Sequence, residues 1–202
     1  MAVSMDQVKQ LRDMTGAGMM DCRQALEESG GDVEKAVMLL RERGIAKAGK
    51  RAGRTTTNGV VEAYLHRTGD YPPQSGALLE LDCETDFVAK NDDFRKLARE
   101  LAMHITAAAP RWISRDEVPG DVVDQERALY QKRAQDDGKP AQAIDKIVSG
   151  QLESFFKDNC LLDQVWIRDG KTAIRDLIAE NVSKLQENIT VRRFSRFNVK
   201  EG

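Results

Sequence analysis

The chain has 202 residues, 41% of them apolar and 32% charged, which is typical of a soluble globular protein with one medium-sized domain and a small additional one. Its 31 basic residues nearly balance its 33 acidic residues, so the overall charge does not point to nucleic acid as the main partner. No apolar run is close to the length of about 18 residues that a membrane-spanning helix needs. The N-terminus lacks the features of a signal peptide. We therefore expect a cytoplasmic protein with no membrane partner.

Residues 1–45 are predicted to form three short helices. A capping box of Ser4 and Gln7 begins the first helix, and Asp32 caps the third, which we expect to stop at Gly44. The expected breaks between the helices are Gly16 and the Ser29-Gly30-Gly31 run.

The connection between the first two helices, Thr15 to Met20, combines two glycines with two methionines. Glycine lets the backbone turn tightly, and methionine is flexible and polarisable, so this loop suits a surface that must fit another protein. In the alternative interpretation, one methionine belongs to the core and the other has no role.

Residues 46–57 are predicted to form a basic linker. The stretch from Ile45 to Thr57 carries four basic residues, no acidic residue and several small ones, as mobile connections often do. Basic linkers can touch RNA phosphates, but no aromatic residue here could stack on bases, so a solvated tether is favoured.

Residues 58–202 are predicted to form a single α+β domain, in which helices cover a three-stranded antiparallel sheet. The first strand follows Asn58-Gly59, the second runs from Gly76 to Glu84, and the third from Ile189 to Phe197. Helices are predicted from Asn91 to about Ala109, from about Val122 to Gln135, from about Ala141 to Asp158, and after Thr172.

The predicted third strand changes its apolar face partway. Ile189 and Val191 share one parity and Phe194 has the other, so we expect a β-bulge between them. The basic residues of this strand could form an RNA-facing ridge, but such residues are more often solvated, paired with acids of the sheet or placed to guard an edge. These residues are Arg192, Arg193 and Arg196, and the sheet acids are Glu80 and Asp82.

The junction after the second strand, ELDCETDFVAKNDDF at Glu80 to Phe94, is the most informative segment. Apolar residues alternate onto the inner face of the strand, so Thr85-Asp86-Phe87-Val88 lies just past its end. Phe87 belongs to neither apolar face. It is either a plug beneath the loop or a probe for a partner, and residue type alone favours the plug. The inner residues of the strand are Leu79, Leu81 and Cys83.

The sequence predicts no catalytic residue, no metal site and no cofactor. Phosphate-binding and hydrolase motifs such as GxGxxG, HExxH and GxSxG are absent. The isolated cysteines are expected to pack as small apolar residues. Carboxylates near the second strand could attract Mg²⁺, but they belong to a strand face and a helix start. The cysteines are Cys22, Cys83 and Cys160, and the carboxylates are Glu80, Asp82, Glu84, Asp86, Asp92 and Asp93.

Two segments resemble the signatures of the bacterial elongation factor Ts family and occur in the family's order. They are LRDMTGAGMMDCRQALEE at Leu11 to Glu28 and the junction at Glu80 to Phe94. The run VRRFSRF at Val191 to Phe197 and the Gly138-Lys139-Pro140 turn also resemble the family. The resemblance covers nearly the whole chain, which is similar to the family's short members.

The resemblance implies a translation elongation factor that is not an enzyme. It would be the guanine-nucleotide exchange factor for elongation factor Tu, binding both the GDP-bound and the nucleotide-free states. In the family, a ubiquitin-associated-like helical module grips elongation factor Tu, while an acid and an aromatic enter it and disturb its Mg²⁺ site. The implied insertion residues are Thr85, Asp86, Phe87 and Val88, and the implied partner-binding residues are Arg12, Gly16, Gly18, Met19, Met20, Asp21 and Arg23.

The resemblance also implies a homodimer through the sheet region, since longer members carry a duplicated core half that a second copy would supply here. Asp82 departs from the family's usual Asn, and Arg23 and Gln24 stand where Lys is common. Asp82 therefore adds charge beside the insertion residues. Two other classes remain open: an adaptor built on the three-helix module and a metal-dependent enzyme built on the acidic residues.

Overall fold

The computed structural model describes residues 3–201, which combine eight α-helices with three strands. The strands form one antiparallel sheet in the order β1-β2-β3, which confirms the predicted α+β class. The elements are α1 (Met5–Thr15), α2 (Met19–Glu28), α3 (Val33–Arg51), β1 (Asn58–His66), β2 (Ser75–Cys83), α4 (Asp86–Ala89), α5 (Asp92–Ala108), α6 (Gly120–Asp136), α7 (Ala141–Asn159), α8 (Ile174–Leu185) and β3 (Ile189–Asn198).

The chain divides into two compact units. The first comprises the described residues up to Ala63 with Leu78–Leu101 and Asp176–Phe194. The second comprises Tyr64–Ala77, Ala102–Arg175 and the described residues from Ser195 onwards. The division of the sequence into residues 1–45, 46–57 and 58–202 stays a prediction. Between residues 3 and 201, no helix is both long and apolar enough to cross a membrane.

In the first unit, the N-terminal helices follow their predicted capping residues. The Gln7 amide donates to the Ser4 hydroxyl at 3.2 Å, and the Ser4 amide donates to Gln7 Oε1 at 3.0 Å. α1 ends at Gly16, whose φ of 66° lies in the left-handed region that glycine tolerates. The Asp32 side chain caps α3. The shared core of these helices consists of Val8, Leu11, Cys22, Ala25, Leu26, Ala36 and Leu40.

The predicted end of the third helix at Gly44 was wrong, because α3 continues to Arg51. Gly44 is buried, and a Cβ at this position would lie 3.4 Å from the Cβ of Ser183 on α8. Gly44 therefore lies at the contact of α3 with α8 and does not end the helix. The alanines and basic residues that follow it favour a helical backbone. Residues 46–51 of the predicted linker accordingly belong to the helix.

Polar contacts hold α3 against α8 and the turn after it. Arg41 pairs with Asp176 at 3.3 Å and with Glu180 at 3.4 Å. Arg51 donates to Gln186 Oε1 at 2.8 Å. The segment that was expected to begin a mobile tether is thus fixed at its helical end.

The inner face of β2 and the following helix form the apolar interior predicted for this region. Leu79, Leu81 and Cys83 are completely buried. Asn91 directly precedes α5 and caps it as predicted, since its Oδ1 accepts a hydrogen bond from the Asp93 amide at 2.8 Å. The buried residues that α5 contributes to the first unit are Phe94, Leu97, Ala98 and Leu101.

Strand β3 shows the predicted change of face. Arg192 and Arg193 are both exposed, whereas exposed residues alternate with less exposed ones after them. Arg193 forms an ion pair with Glu80, as the sheet-pairing interpretation expected. Arg196 is only 14% exposed and donates to the carbonyl of Thr106 at 3.0 Å. Arg196 therefore does not belong to an RNA-facing ridge.

The second unit contains a helical hairpin of α6 and α7. Its buried residues are Ala134, Ile144, Val148 and Leu152. Near the end of α7, the buried carboxylate of Asp163 accepts hydrogen bonds from Arg115 at 2.8 Å and from Arg175. Two cationic partners offset the cost of removing this carboxylate from water.

All three cysteines are buried and free, which confirms their predicted packing as apolar residues. Burial raises the pKa of Cys83 and that of Cys160 to about 11. Both thiols are consequently protonated at neutral pH, so they are poor nucleophiles.

His104 is fully buried in the second unit and is held as a neutral imidazole. Its Nδ1 accepts from the Ile167 amide at 3.4 Å, so Nε2 carries the proton and donates to Gln164 Oε1 at 2.9 Å. Burial lowers the pKa of His104 below its ordinary value. The unfolded chain therefore binds a proton at this residue more readily than the folded chain does.

We expect His104 to make the protein less stable in mild acid. The contribution of neutral His104 to the free energy of unfolding should be fully present above the ordinary histidine pKa of about 6.5. Below that pH, the free energy of unfolding should fall by up to about 1.4 kcal/mol per pH unit. Urea unfolding of the intact chain and of H104Q at pH 7.5 and pH 5.5 would measure this. H104Q should lose less stability on acidification, while H66Q, at an exposed histidine, should behave like the intact chain. Equal losses in all three would contradict the assignment.

Candidate functional site

The predicted insertion residues, Thr85–Val88, form a helical turn rather than an open loop. α4 spans Asp86–Ala89, and Thr85 precedes it in an extended conformation as its N-cap. The Thr85 hydroxyl accepts from the Val88 amide at 3.4 Å, and the Thr85 carbonyl accepts from the Ala89 amide at 3.2 Å. This segment, hereafter the insertion turn, therefore has a defined backbone.

Phe87 projects from the insertion turn into solvent. Its side chain is 82% exposed, which makes it the most exposed large apolar residue in the described chain. The interpretation of Phe87 as a buried plug was wrong, although large aromatic residues are usually inside. The structural reason is that neighbouring positions on β2 and α5 already fill the interior, and the turn directs residue 87 away from it.

Asp86 stands beside Phe87 as an ionised group. The Lys90 ammonium donates to Asp86 Oδ2 at 2.6 Å, one helical turn further along. This hydrogen bond holds the pKa of Asp86 below its ordinary value. Asp86 therefore carries a full negative charge at neutral pH. Lys90 was not singled out from the sequence, although its spacing of four residues from Asp86 is a recognisable pairing signal.

A carboxylate distant in sequence anchors the insertion turn. Glu187, which lies between α8 and β3, accepts from the Thr85 hydroxyl at 2.5 Å. Its second oxygen accepts from the amides of Thr85 and Glu84 at 3.0 and 3.1 Å. Sequence reasoning missed Glu187 because nothing in its local pattern points to residues about a hundred positions earlier.

Two carboxylates near the junction, Glu80 and Glu84, are engaged with protein partners. Glu80 pairs with Arg193, and Glu84 accepts from the Asn188 amide at 2.7 Å. Burial, reinforced by the charge of Glu80, raises the pKa of Asp82. No group of three or more His, Cys, Asp or Glu side chains in residues 3–201 is arranged to hold a metal ion.

The predicted loop from Thr15 to Met20 is shorter than expected, because Met19 and Met20 form the start of α2, with one side chain inward and the other outward. Met20 is 77% exposed, whereas Met19 packs against the core of the N-terminal helices. Gly16 and Gly18 flank Ala17 as the C-cap of α1 and the N-cap of α2. Met19 thus belongs to the core, as the alternative interpretation expected of one methionine, and contact of Met20 with a partner stays a prediction.

The charged residues predicted near this loop lie on α1 and α2. Arg12 is exposed on α1. Asp21 accepts from Lys47 Nζ at 2.9 Å, and Arg23 pairs with Glu27 at 2.9 Å. Asp21 therefore also secures α3, while Arg12 and Arg23 lie at the surface.

Lys184 on α8 touches both candidate surfaces within the first unit. Its ammonium pairs with Asp93 at the start of α5 at 2.8 Å. Its stem lies so close to Gly16 that a Cβ there would be 3.0 Å from Cδ and Cε. The loop after α1 and the helix after the insertion turn thus share one contact residue, which the sequence did not reveal.

Comparison with known proteins shows which family the chain belongs to. The family described as Elongation factor TS matches residues 32–201. The chain belongs to the elongation factor Ts family. Elongation factor Ts of Fervidobacterium nodosum is 51% identical over 201 residues, covering 100% of both chains. Elongation factor Ts of Carboxydothermus hydrogenoformans is 49% identical over 99% of this chain and 90% of its own length. That of Frankia alni is 51% identical over 96% of each chain.

Membership of the elongation factor Ts family confirms the resemblance on which the site residues were chosen. It makes the chain a translation elongation factor by family. The roles of Arg12, Gly16, Gly18, Met19, Met20, Asp21 and Arg23 in binding, and of the insertion turn, stay predictions.

We expect Gly16 to be needed both for its backbone conformation and for its contact with Lys184. Gly30 has the same φ of 66° but nothing within 4 Å of an added Cβ, so it is a matched control. G30A should cost about 1 kcal/mol of unfolding free energy, as a left-handed non-glycine residue does. G16A should cost more in urea unfolding. Addition of K184A should remove that excess, and equal losses in G16A and G30A would contradict the contact.

Proposed function

We propose that this chain is the guanine-nucleotide exchange factor for elongation factor Tu, that it binds the GDP-bound and nucleotide-free forms, and that it promotes GDP release so that GTP can rebind. The observation that carries this proposal is the insertion turn. It presents an exposed aromatic, Phe87, beside an ionised carboxylate, Asp86, on an anchored backbone. Membership of the elongation factor Ts family supports the identity of the partner.

Phe87 would act as a wedge. Burying a phenylalanine side chain is worth about 1.5–3 kcal/mol, and here that free energy is not realised within the chain. A partner that offers an apolar gap gains it on binding, provided that its own groups move to admit the ring. Insertion can therefore be linked to a distortion of the partner's nucleotide pocket.

Asp86 would act by charge. A carboxylate brought close to the groups that hold Mg²⁺ competes with them for hydrogen bonds and for the ion. Loss of Mg²⁺ from elongation factor Tu would weaken the hold on the GDP phosphates. The chain itself forms no covalent bond in this scheme and needs no cofactor of its own.

The effect must be reciprocal in equilibrium terms. If the chain weakens GDP binding by some factor, GDP weakens binding of the chain by the same factor. An acceleration of release by about ten-thousandfold needs roughly 5.5 kcal/mol of stabilisation of the dissociation transition state. One aromatic side chain cannot supply this amount alone, so a second area of contact is required.

The loop after α1 is the proposed second contact. Met20 is exposed next to Gly18, and methionine adapts well to a partner's groove. Arg12 and Arg23 add surface charge on the two helices beside it. We propose that the three N-terminal helices form a ubiquitin-associated-like module that grips elongation factor Tu through this loop.

We further propose a cytoplasmic homodimer. β1 is an edge strand of the sheet, and Val61 and Leu65 on its outward face are 71% and 62% exposed. Apolar residues on an edge strand favour pairing with another chain. Direct contact with nucleic acid is at most weak in this proposal, because Arg193 and Arg196 are engaged with protein groups.

We expect the double variant Asp86→Ala/Phe87→Ala to lose most of the acceleration of GDP release. The measurement is the dissociation rate of fluorescent GDP from purified elongation factor Tu, with increasing amounts of the chain. The variant should fold normally, since both side chains are exposed, and should lower the saturating rate at least about 10-fold. Tyr71→Ala, which removes a similarly exposed aromatic elsewhere, should change little. Failure of the intact chain to accelerate release would refute the exchange function and favour an adaptor role.

The dimer is tested by mass in solution. Light scattering of the intact chain at micromolar concentration should give twice the chain mass. Val61→Lys should raise the dissociation constant at least about 10-fold, because it places a charge in the proposed interface. Leu129→Lys, at an exposed leucine of α6, should leave the mass unchanged. A monomeric mass for the intact chain would contradict the proposal.

A further inference from the structure

The strongest feature outside the exposed residues is the carboxylate of Glu187. We propose that Glu187 is a positioning residue for nucleotide exchange, which acts by fixing the insertion turn in the orientation that presents Asp86 and Phe87. This inference rests on the proposed function. It concerns a residue that touches neither the partner nor the nucleotide in that function.

Glu187 supplies a hydrogen-bond acceptor for the backbone amides at the end of β2. Where a strand ends, its amides lose their ladder partners and need other acceptors. The amides of Glu84 and Thr85 both donate to Glu187 Oε2, at 3.1 and 3.0 Å. Hydrogen bonds to a charged group are shorter and stronger than those between neutral groups. The carboxylate therefore fixes two successive peptide units just before the insertion turn.

The third hydrogen bond of Glu187 fixes the insertion turn itself. The Thr85 hydroxyl donates its single proton to Glu187 Oε1 at 2.5 Å, which directs a lone pair towards the Val88 amide at 3.4 Å. Without Glu187, the hydroxyl is free to rotate and the N-cap of α4 weakens. Glu187 thus acts through Thr85 on the turn that carries Phe87. The two hydrogen bonds involved run from the Thr85 hydroxyl to Glu187 and from the Val88 amide to the Thr85 hydroxyl.

The anchor is reciprocal, which explains why Glu187 itself stays in place. Glu84 Oε1 accepts from the Asn188 amide at 2.7 Å, so each segment supplies a carboxylate to the other's backbone. Buried Asn188 donates in turn to the Arg54 carbonyl at 2.8 Å. Asn58 Nδ2 donates to the Glu84 carbonyl at 2.9 Å. The end of β2 is therefore tied to the start of β3 by bonds in both directions.

The test combines two readouts on three variants. Glu187→Ala removes all three hydrogen bonds, Glu187→Gln keeps one oxygen for the two amides, and Glu42→Ala removes an exposed carboxylate elsewhere. Amide hydrogen exchange reports whether the insertion turn is held. Release of fluorescent GDP from elongation factor Tu, measured against the concentration of the chain, separates the saturating rate from the concentration that gives half of it.

In Glu187→Ala we expect the amides of Glu84 and Thr85 to exchange about 10-fold faster, while those of α1 and α2 are unchanged. The saturating rate of GDP release should fall about 10-fold or more, and the half-saturating concentration should change much less. Glu187→Gln keeps an acceptor for the two amides, but its NH2 group cannot accept from the Thr85 hydroxyl, so it should restore amide protection and only part of the saturating rate. Glu42→Ala should match the intact chain. If Glu187→Ala does not fold, Thr85→Val, which deletes only the hydroxyl contact, should lower the saturating rate several-fold.

Protected amides in Glu187→Ala, or faster amide exchange with an unchanged saturating rate, would overturn the inference and leave the exchange function intact. A fall in GDP release explained entirely by a higher half-saturating concentration would also overturn it. An intact chain that does not accelerate release overturns the exchange function and the role of Glu187 together. The failure of one proposal is thus distinguishable from the failure of both.

Discussion

The backbone at the end of β2 imposes the main constraint on this protein. The chain must leave the sheet there, turn once as α4 and enter α5, and the amides of Glu84 and Thr85 have no strand to bond with. Glu187 accepts hydrogen bonds from both amides, and Glu84 in turn accepts one from the Asn188 amide. Because polar groups without partners cost free energy, this exchange of carboxylates determines where the insertion turn stands. The direction of Phe87 follows from it.

A second constraint is close packing at glycine. Gly44 lies against Ser183, and Gly16 lies against the stem of Lys184, so both contacts place the N-terminal helices on α8. Ion pairs of Arg41 with Asp176 and Glu180 add to the same contact. These contacts place the N-terminal helices and α8 in the same compact unit. A partner that binds the loop after α1 meets it in a fixed relation to α5.

The features that the sequence predicted correctly are those with local causes. Capping by Ser4, the alternation of Leu79 and Leu81, and the change of face in β3 depend on residues a few positions apart. The end of α3 was mispredicted, and residue type alone favoured a buried Phe87, because both features depend on packing with distant elements. Glu187 carried no local signal, so its hydrogen bonds to the insertion turn could not be predicted from the sequence.

The rigidity of the insertion turn has an energetic consequence. Fixing one residue of backbone costs roughly 1–2 kcal/mol, so a mobile four-residue segment would lose about 4–8 kcal/mol on becoming ordered in a partner. That loss is as large as the roughly 5.5 kcal/mol that a ten-thousandfold acceleration requires. An exchange factor whose inserting segment was disordered would therefore lose most of its binding free energy to the ordering of that segment. Thr85, Glu187 and Lys90 hold the turn in the folded chain, so in the proposed function the contacts of Asp86 and Phe87 would act on the partner instead.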